Sequence, residues 1–130
     1  MSLLLDTHIW LWSLLEPDRL STSLRRILTA RGTALRLASI SLWETLLLAE
    51  RGRLVLEPDG PRWLRKAMSE SPVSEIPLTM DVVLVSASIT LPQRDPADRL
   101  IAATAKTFDL TLVTADQRLI ECRDINVLAA

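Results

Sequence analysis

The chain has a single cysteine, Cys122, no tyrosine, one phenylalanine, one histidine and three glycines among its 130 residues. One thiol excludes an internal disulfide and any zinc site built on cysteine. With so few glycines there is no Gly-rich phosphate loop, so nucleotide-binding readings lapse. No run of about 20 uncharged apolar residues occurs, so no membrane span is expected. Asp6 interrupts the apolar start and no basic segment precedes it, unlike a secretory signal. A cytoplasmic protein is the expectation. Charge of one sign is also lacking: 15 basic against 16 acidic residues gives a formal net charge of −1. That balance does not fit nucleic-acid binding by bulk attraction.

What is present is apolar residue, 48% of the chain, enough for one packed domain over residues 1–130. Strand-like runs alternate with helix-like ones. Strands are expected at 2–5, 35–40, 75–78, 110–113 and 125–128. Pro77 points the third of these toward a sheet edge. Helices are expected at 7–15, 22–30, 42–50, 61–69, 80–89, 96–108 and 117–122. Asp6, Ser21 and Asp95 stand at helix starts, and Glu16-Pro17 and Gly52 at ends. This alternation predicts an α/β fold, three-layer α/β/α, with a mostly parallel central sheet.

Four acids fall where strand gives way to helix or in a first helical turn: Asp6, Glu44, Asp98 and Asp116. A parallel sheet collects such points at the carboxyl ends of its strands, where ligands bind. Each acid also has a plainer explanation. Asp6 and Asp116 fit N-caps. Ser41-Leu42-Trp43-Glu44 fits a capping box, Asp95 fits a cap ahead of Pro96, and Asp98 suits a helix dipole. Glu44 and Asp98 strain that explanation. The helix around Glu44 is apolar nearly all round and should be buried, and Ile101, Ala102 and Ala105 follow Asp98 on an inward stripe.

Clustered carboxylates repel one another unless a cation joins them. Hard oxygen ligands, with no usable thiol, suit Mg²⁺ or Mn²⁺ rather than zinc. The matching chemistry is in-line hydrolysis of a phosphodiester. Cys122 beside Glu121 and Asp124 is a poor thiolate, and His8 reads as a packed or hydrogen-bonded histidine. Arg25, Arg26, Arg31 and Arg36, and then Arg51, Arg53, Arg62, Arg65 and Lys66, could line a phosphate path or simply be solvated helix faces. Trp10, Trp12, Leu14 and Leu15, with Trp43, Leu46 and Leu47, fit either an exposed partner surface or core volume.

The motifs Leu4-Leu5-Asp6-Thr7-His8-Ile9-Trp10, Ala38-Ser39-Ile40-Ser41-Leu42-Trp43-Glu44, Asp95-Pro96-Ala97-Asp98-Arg99-Leu100-Ile101-Ala102 and Leu112-Val113-Thr114-Ala115-Asp116 together resemble a PIN domain. They are most similar to VapC-type toxins of type II toxin–antitoxin pairs, over essentially the whole chain. The resemblance implies that Asp6, Glu44, Asp98 and Asp116 bind Mg²⁺ or Mn²⁺ and activate water to cut RNA. It implies that Thr114 orients a water or a carboxylate; Asp95, read from its place ahead of Pro96, is the helix cap and at best a minor contributor. It also implies a homodimer silenced by a cognate antitoxin, with DNA reached only through that antitoxin. Gln93 and Ala97 depart from the family, where histidine and an aromatic are common; both bear on the groove wall. The contrasting reading is a catalytically inactive PIN-like binding module whose acids act as helix caps. A phosphoryl-accepting receiver would need an early acidic pair and a late lysine after a strand, and has neither.

Overall fold

Leu3, Leu4 and Leu5 are all shielded from water, and they alternate between two cores. Leu4 joins one core and Leu3 and Leu5 the other, the period of a strand covered on both faces. The structure is a computed structural model that describes residues 1–92 and 95–130, so Gln93 lies outside the described residues. Its five strands are β1 (Ser2–Leu5), β2 (Ala34–Ala38), β3 (Val73–Ile76), β4 (Thr111–Thr114) and β5 (Asn126–Ala129). They form one sheet in the order β3-β2-β1-β4-β5, and every pairing is parallel. β3 is an edge strand, and Pro77 follows directly after it, where no ladder bond is lost.

Among the described residues seven helices flank the sheet: α1 (Thr7–Leu15), α2 (Thr22–Thr29), α3 (Ser39–Glu50), α4 (Gly60–Glu70), α5 (Met80–Ser86), α6 (Pro96–Thr107) and α7 (Gln117–Ile120). A 3-10 turn at Pro17–Arg19 separates α1 from α2. Ile9, Trp10, Leu24 and Leu64, from α1, α2 and α4, pack on the Leu3 and Leu5 side. Val82, Ile101, Ala102 and Leu119, from α5, α6 and α7, pack on the Leu4 side. The expected three-layer α/β/α arrangement is the observed one. No helix among the described residues is long and apolar enough to cross a membrane.

Strand β1 sits at the centre, and connections leave it in two directions, to β2 and β3 on one side and β4 and β5 on the other. The switch point between β1 and β4 opens a crevice at the carboxyl edge of the sheet. Asp6 follows β1 and Asp116 follows β4, so the topology alone brings two of the four acids to that crevice.

Candidate active site

The four acids line one cavity of about 300 Å³, together with Asp95 and Arg118. Asp6 is 7% exposed. Its carboxylate accepts from the Thr7 amide at 2.8 Å and from the Thr114 hydroxyl at 2.7 Å. Thr114 Oγ1 in turn accepts from the Asp116 amide at 3.0 Å. Thr7 reaches the other way, its hydroxyl donating to Glu44 Oε1 at 2.5 Å and lying 2.9 Å from Ser41 Oγ. On the opposite wall Arg118 Nη2 donates to Asp98 Oδ2 at 2.9 Å and to Asp116 Oδ2 at 2.6 Å, while its Nε donates to Asp116 Oδ1 at 3.1 Å. A single chain of polar contacts therefore runs Glu44, Thr7, Asp6, Thr114, Asp116, Arg118, Asp98.

Capping accounts for part of this arrangement. Asp6 caps α1, Asp95 caps α6 through the Ala97 and Asp98 amides, and Asp116 caps α7 through the Arg118 amide. It does not account for Glu44 or Asp98. The expected capping box is absent, because α3 begins at Ser39 behind Ala38, which makes no side-chain cap. Ser41 is therefore already helical and buried, and Glu44 lies in the second turn, too far along to reach back. Asp98 is buried in the first turn of α6 above Ile101, Ala102 and Ala105, all of them inside.

Other expectations fare differently. The apolar content of α3 predicts a buried helix, yet the residues it buries are Ser41 and Thr45, and Trp43 is half exposed. Its inner face meets the polar start of α1, so hydroxyls go inside there and the leucines sit at the margins. His8 is not packed away. It is exposed on α1, at the rim of the acid cavity, with its ring 6.0 Å from that of Trp12. Trp10 is core, whereas Leu14, Leu15 and Trp43 are exposed, so both readings of the tryptophan-rich stretches hold in different places. Of the arginines, Arg25 and Arg62 form exposed ion pairs with Asp18 and Asp59, and Arg51 borders a cavity adjoining the acids. Nothing local in the sequence marks Arg118 as a site residue. Two residues after Asp116 it looks like an ordinary first-turn residue, and its contact with Asp98 depends on the fold.

The electrostatics follow from burial. Loss of water pushes the Asp6 carboxyl above its ordinary value, against the Thr114 and Thr7 donors. Burial likewise raises Glu44, with Thr7 opposing it and the Asp6 charge adding to it. Burial, then the Asp95 and Asp6 charges, carry Asp98 up to about 7 in spite of Arg118. Asp116 shifts the other way, held low by its paired hydrogen bonds with the same guanidinium. The difference is one of position. Asp116 faces Arg118 with both oxygens, while Asp98 offers one oxygen from a deeper site among like charges.

Among the described residues, no three acids, imidazoles or thiols already close around one point as a metal cage. Hydroxyls, amides and the Arg118 guanidinium hold the carboxylate oxygens instead. The donor set nevertheless fits a hard divalent cation. It is all oxygen, three of its members are pushed toward protonation by burial and mutual repulsion, and a positive group already lies between two of them.

Comparison with known proteins gives a consistent match. The PIN domain family matches residues 3–124. The chain is 36% identical over 121 residues to Ribonuclease VapC22 of Mycobacterium tuberculosis, covering 91% of this chain and 89% of that one. In structure it is similar to VapBC2 of Rickettsia felis, solved bound to a DNA fragment from its promoter, with TM-score 0.74 at 16% identity over 99% of this chain and 98% of that one. It is also similar to DNA-bound VapBC of Salmonella typhimurium, with TM-score 0.70 at 17% identity and the same coverage of each chain. At such identities the structural likeness speaks for the fold.

Proposed function

The chain belongs to the PIN-domain family, and on that premise we propose that it is a VapC-type ribonuclease, the toxin of a toxin–antitoxin pair. It hydrolyses RNA phosphodiester bonds with Mg²⁺ or Mn²⁺ held by Asp6, Glu44, Asp98 and Asp116. The observation that carries this reading is the convergence of those four carboxylates on one cavity at the switch point of the sheet. The ribonuclease relative supports the reaction, and the toxin–antitoxin complexes among the structural neighbours support a cognate antitoxin as partner. The protein works in the cytoplasm as a homodimer, and it meets DNA only through the antitoxin.

A divalent cation bound by the four acids would polarise a phosphodiester oxygen and lower the pKa of an attacking water. The chain's own groups prepare for that. Thr7 and Thr114 each donate to one carboxylate, at Glu44 Oε1 and Asp6 Oδ2, and so fix how those carboxylates are turned toward the cavity. Burial of Asp6 and Asp98 keeps competing water from them. Arg118 offsets the charge of Asp98 and Asp116 at the cavity wall, where a guanidinium also suits a phosphate.

The test is digestion of total RNA with Mn²⁺ or Mg²⁺, alone and with EDTA. Cutting that the chelator abolishes is the expected result. A folded protein that neither binds Mn²⁺ nor cuts RNA overturns the proposal.

Arg118 supplies a separate prediction. Arg118→Met leaves Asp98 and Asp116 without their cation, so the metal-free protein should lose on the order of 1–2 kcal/mol of stability. That is less than for a fully buried pair, because 32% of the Arg118 side chain remains exposed. Mn²⁺ should bind this variant more tightly than wild type, since no guanidinium competes. Urea denaturation without metal checks the first part and calorimetric titration with Mn²⁺ the second, and weaker Mn²⁺ binding would show that Arg118 assists the ion.

A further inference from the structure

A second cavity, of about 440 Å³, adjoins the acid cavity and shares Glu44, Asp95 and Arg118 with it. Trp43, Leu47 and Arg51 form its other wall. They stand four residues apart along α3, so they share one face of that helix, and Glu44 stands beside them on the acid side. Trp43 is 50% exposed, a large apolar ring left facing solvent next to a cluster of charges. Arg51 caps the end of α3, is exposed, and makes no ion pair among the described residues. Pro96 and Ala97, from the start of α6, complete the lining with small side chains.

We propose that this cavity is a nucleotide subsite in which the Trp43 indole stacks an unpaired RNA base and Arg51 contacts the adjoining phosphate. The inference rests on the ribonuclease reading and extends it from reaction to substrate. An aromatic face beside an arginine is how proteins hold single strands, because only an unpaired base has a free face to stack. The shared residues put the stacked nucleotide next to the bond that would be cut. The acids on their own would repel the backbone, and Arg51 supplies compensating charge at the far end of the groove.

Trp43 also borders an apolar groove with Ile40, Leu78 and Leu100, which a second copy of the chain could cover instead. The experiment separates the two occupants. In an Asp98→Asn background with Mg²⁺, binding of a fluorescein-labelled, random-sequence, single-stranded oligoribonucleotide pool is followed by anisotropy. Adding Trp43→Ala should weaken binding about 5- to 150-fold, the range for losing one stacked base, and Trp43→Phe should restore most of it. Arg51→Ala should weaken binding and lower the salt slope by about 0.7. Binding of a fully paired RNA duplex should not respond to Trp43→Ala. Single-strand binding unchanged by Trp43→Ala overturns the subsite, and so does no binding by the Asp98→Asn parent. Loss of affinity that merely follows dissociation of a dimer, seen by sedimentation, overturns it in favour of the second copy. Cutting by the chain with Asp98 intact, measured in parallel, keeps the two proposals apart. Intact RNA there counts against the ribonuclease, while cutting that survives Trp43→Ala with unchanged KM counts against the subsite alone.

Discussion

In an Asp98→Asn variant, RNA cleavage should fall by on the order of 10²–10³-fold, the scale of removing one electrostatic stabiliser from a water-poor site, while the metal-free fold becomes more resistant to heat. The two effects share a cause. Asp98 lies among Asp95, Asp6 and Asp116 in a buried position that lifts its carboxyl to about 7 from an ordinary value of 3.8. The folded chain therefore holds a proton there more tightly than the unfolded chain does. Stability from this group is complete below about pH 4 and is lost as the pH rises through about 7. The amide carries no charge to repel, keeps an oxygen for Arg118, and escapes that loss. The variant should melt above wild type at pH 8 in EDTA, with the gap closing toward pH 4. Added Mn²⁺ should favour wild type instead, because the ion takes the place of the proton. Thermal melts at a series of pH values, with and without Mn²⁺, check the sign. A variant that melts lower at pH 8 without metal would mean the Arg118 pair outweighs the repulsion.

Trp10→Ala should cost about 3–5 kcal/mol, a large part of the stability of a domain this size. Trp10 is wholly buried, its ring meets the Trp63 ring edge-on at 6.0 Å, and its Nε1 donates to Ser71 at 3.3 Å. Removal leaves a void where α1 packs on α4, with Ser71 lacking its donor. The loss also reaches the acids, because the first turn of α1 carries the Thr7 groups that hold Asp6 and Glu44. Urea denaturation gives the magnitude. A loss under about 1 kcal/mol would mean the neighbouring leucines collapse into the space.

Local signals in the sequence carry the strands and helices whose ends are set locally. The Leu3–Leu5 run ends at a capping Asp6, and α1 breaks before Pro17, so both elements fall where the pattern puts them. Elements whose ends depend on distant partners shift. Ile40 looks like strand, yet β2 stops at Ala38 and α3 takes over at the sheet edge. The local pattern carries α5 to residue 89, but the helix ends at Ser86, where Arg99, from α6, donates to the Ser86 and Ile89 carbonyls. The third strand lies two residues earlier than expected, because its pairing with β2 matches Leu35 to Val73. The acids can be read from the chain because each sits at a strand-to-helix junction or early in a helix. The threonine ties and the Arg118 bridge cannot, since they join residues 20 to 108 positions apart.

The same distances have a bearing on synthesis. β1 is made first, yet its second neighbour, β4, is made more than a hundred residues later. A nascent chain that stops before Thr111 has Asp6, Glu44 and Asp98, but neither Thr114 to hold Asp6 nor Asp116 and Arg118 to complete the cavity. Its central strand would also present an open apolar edge, a surface prone to pairing with other chains. A chain without those residues is therefore incomplete at the cavity and exposed at its central strand, and both faults end together once β4 and α7 are in place.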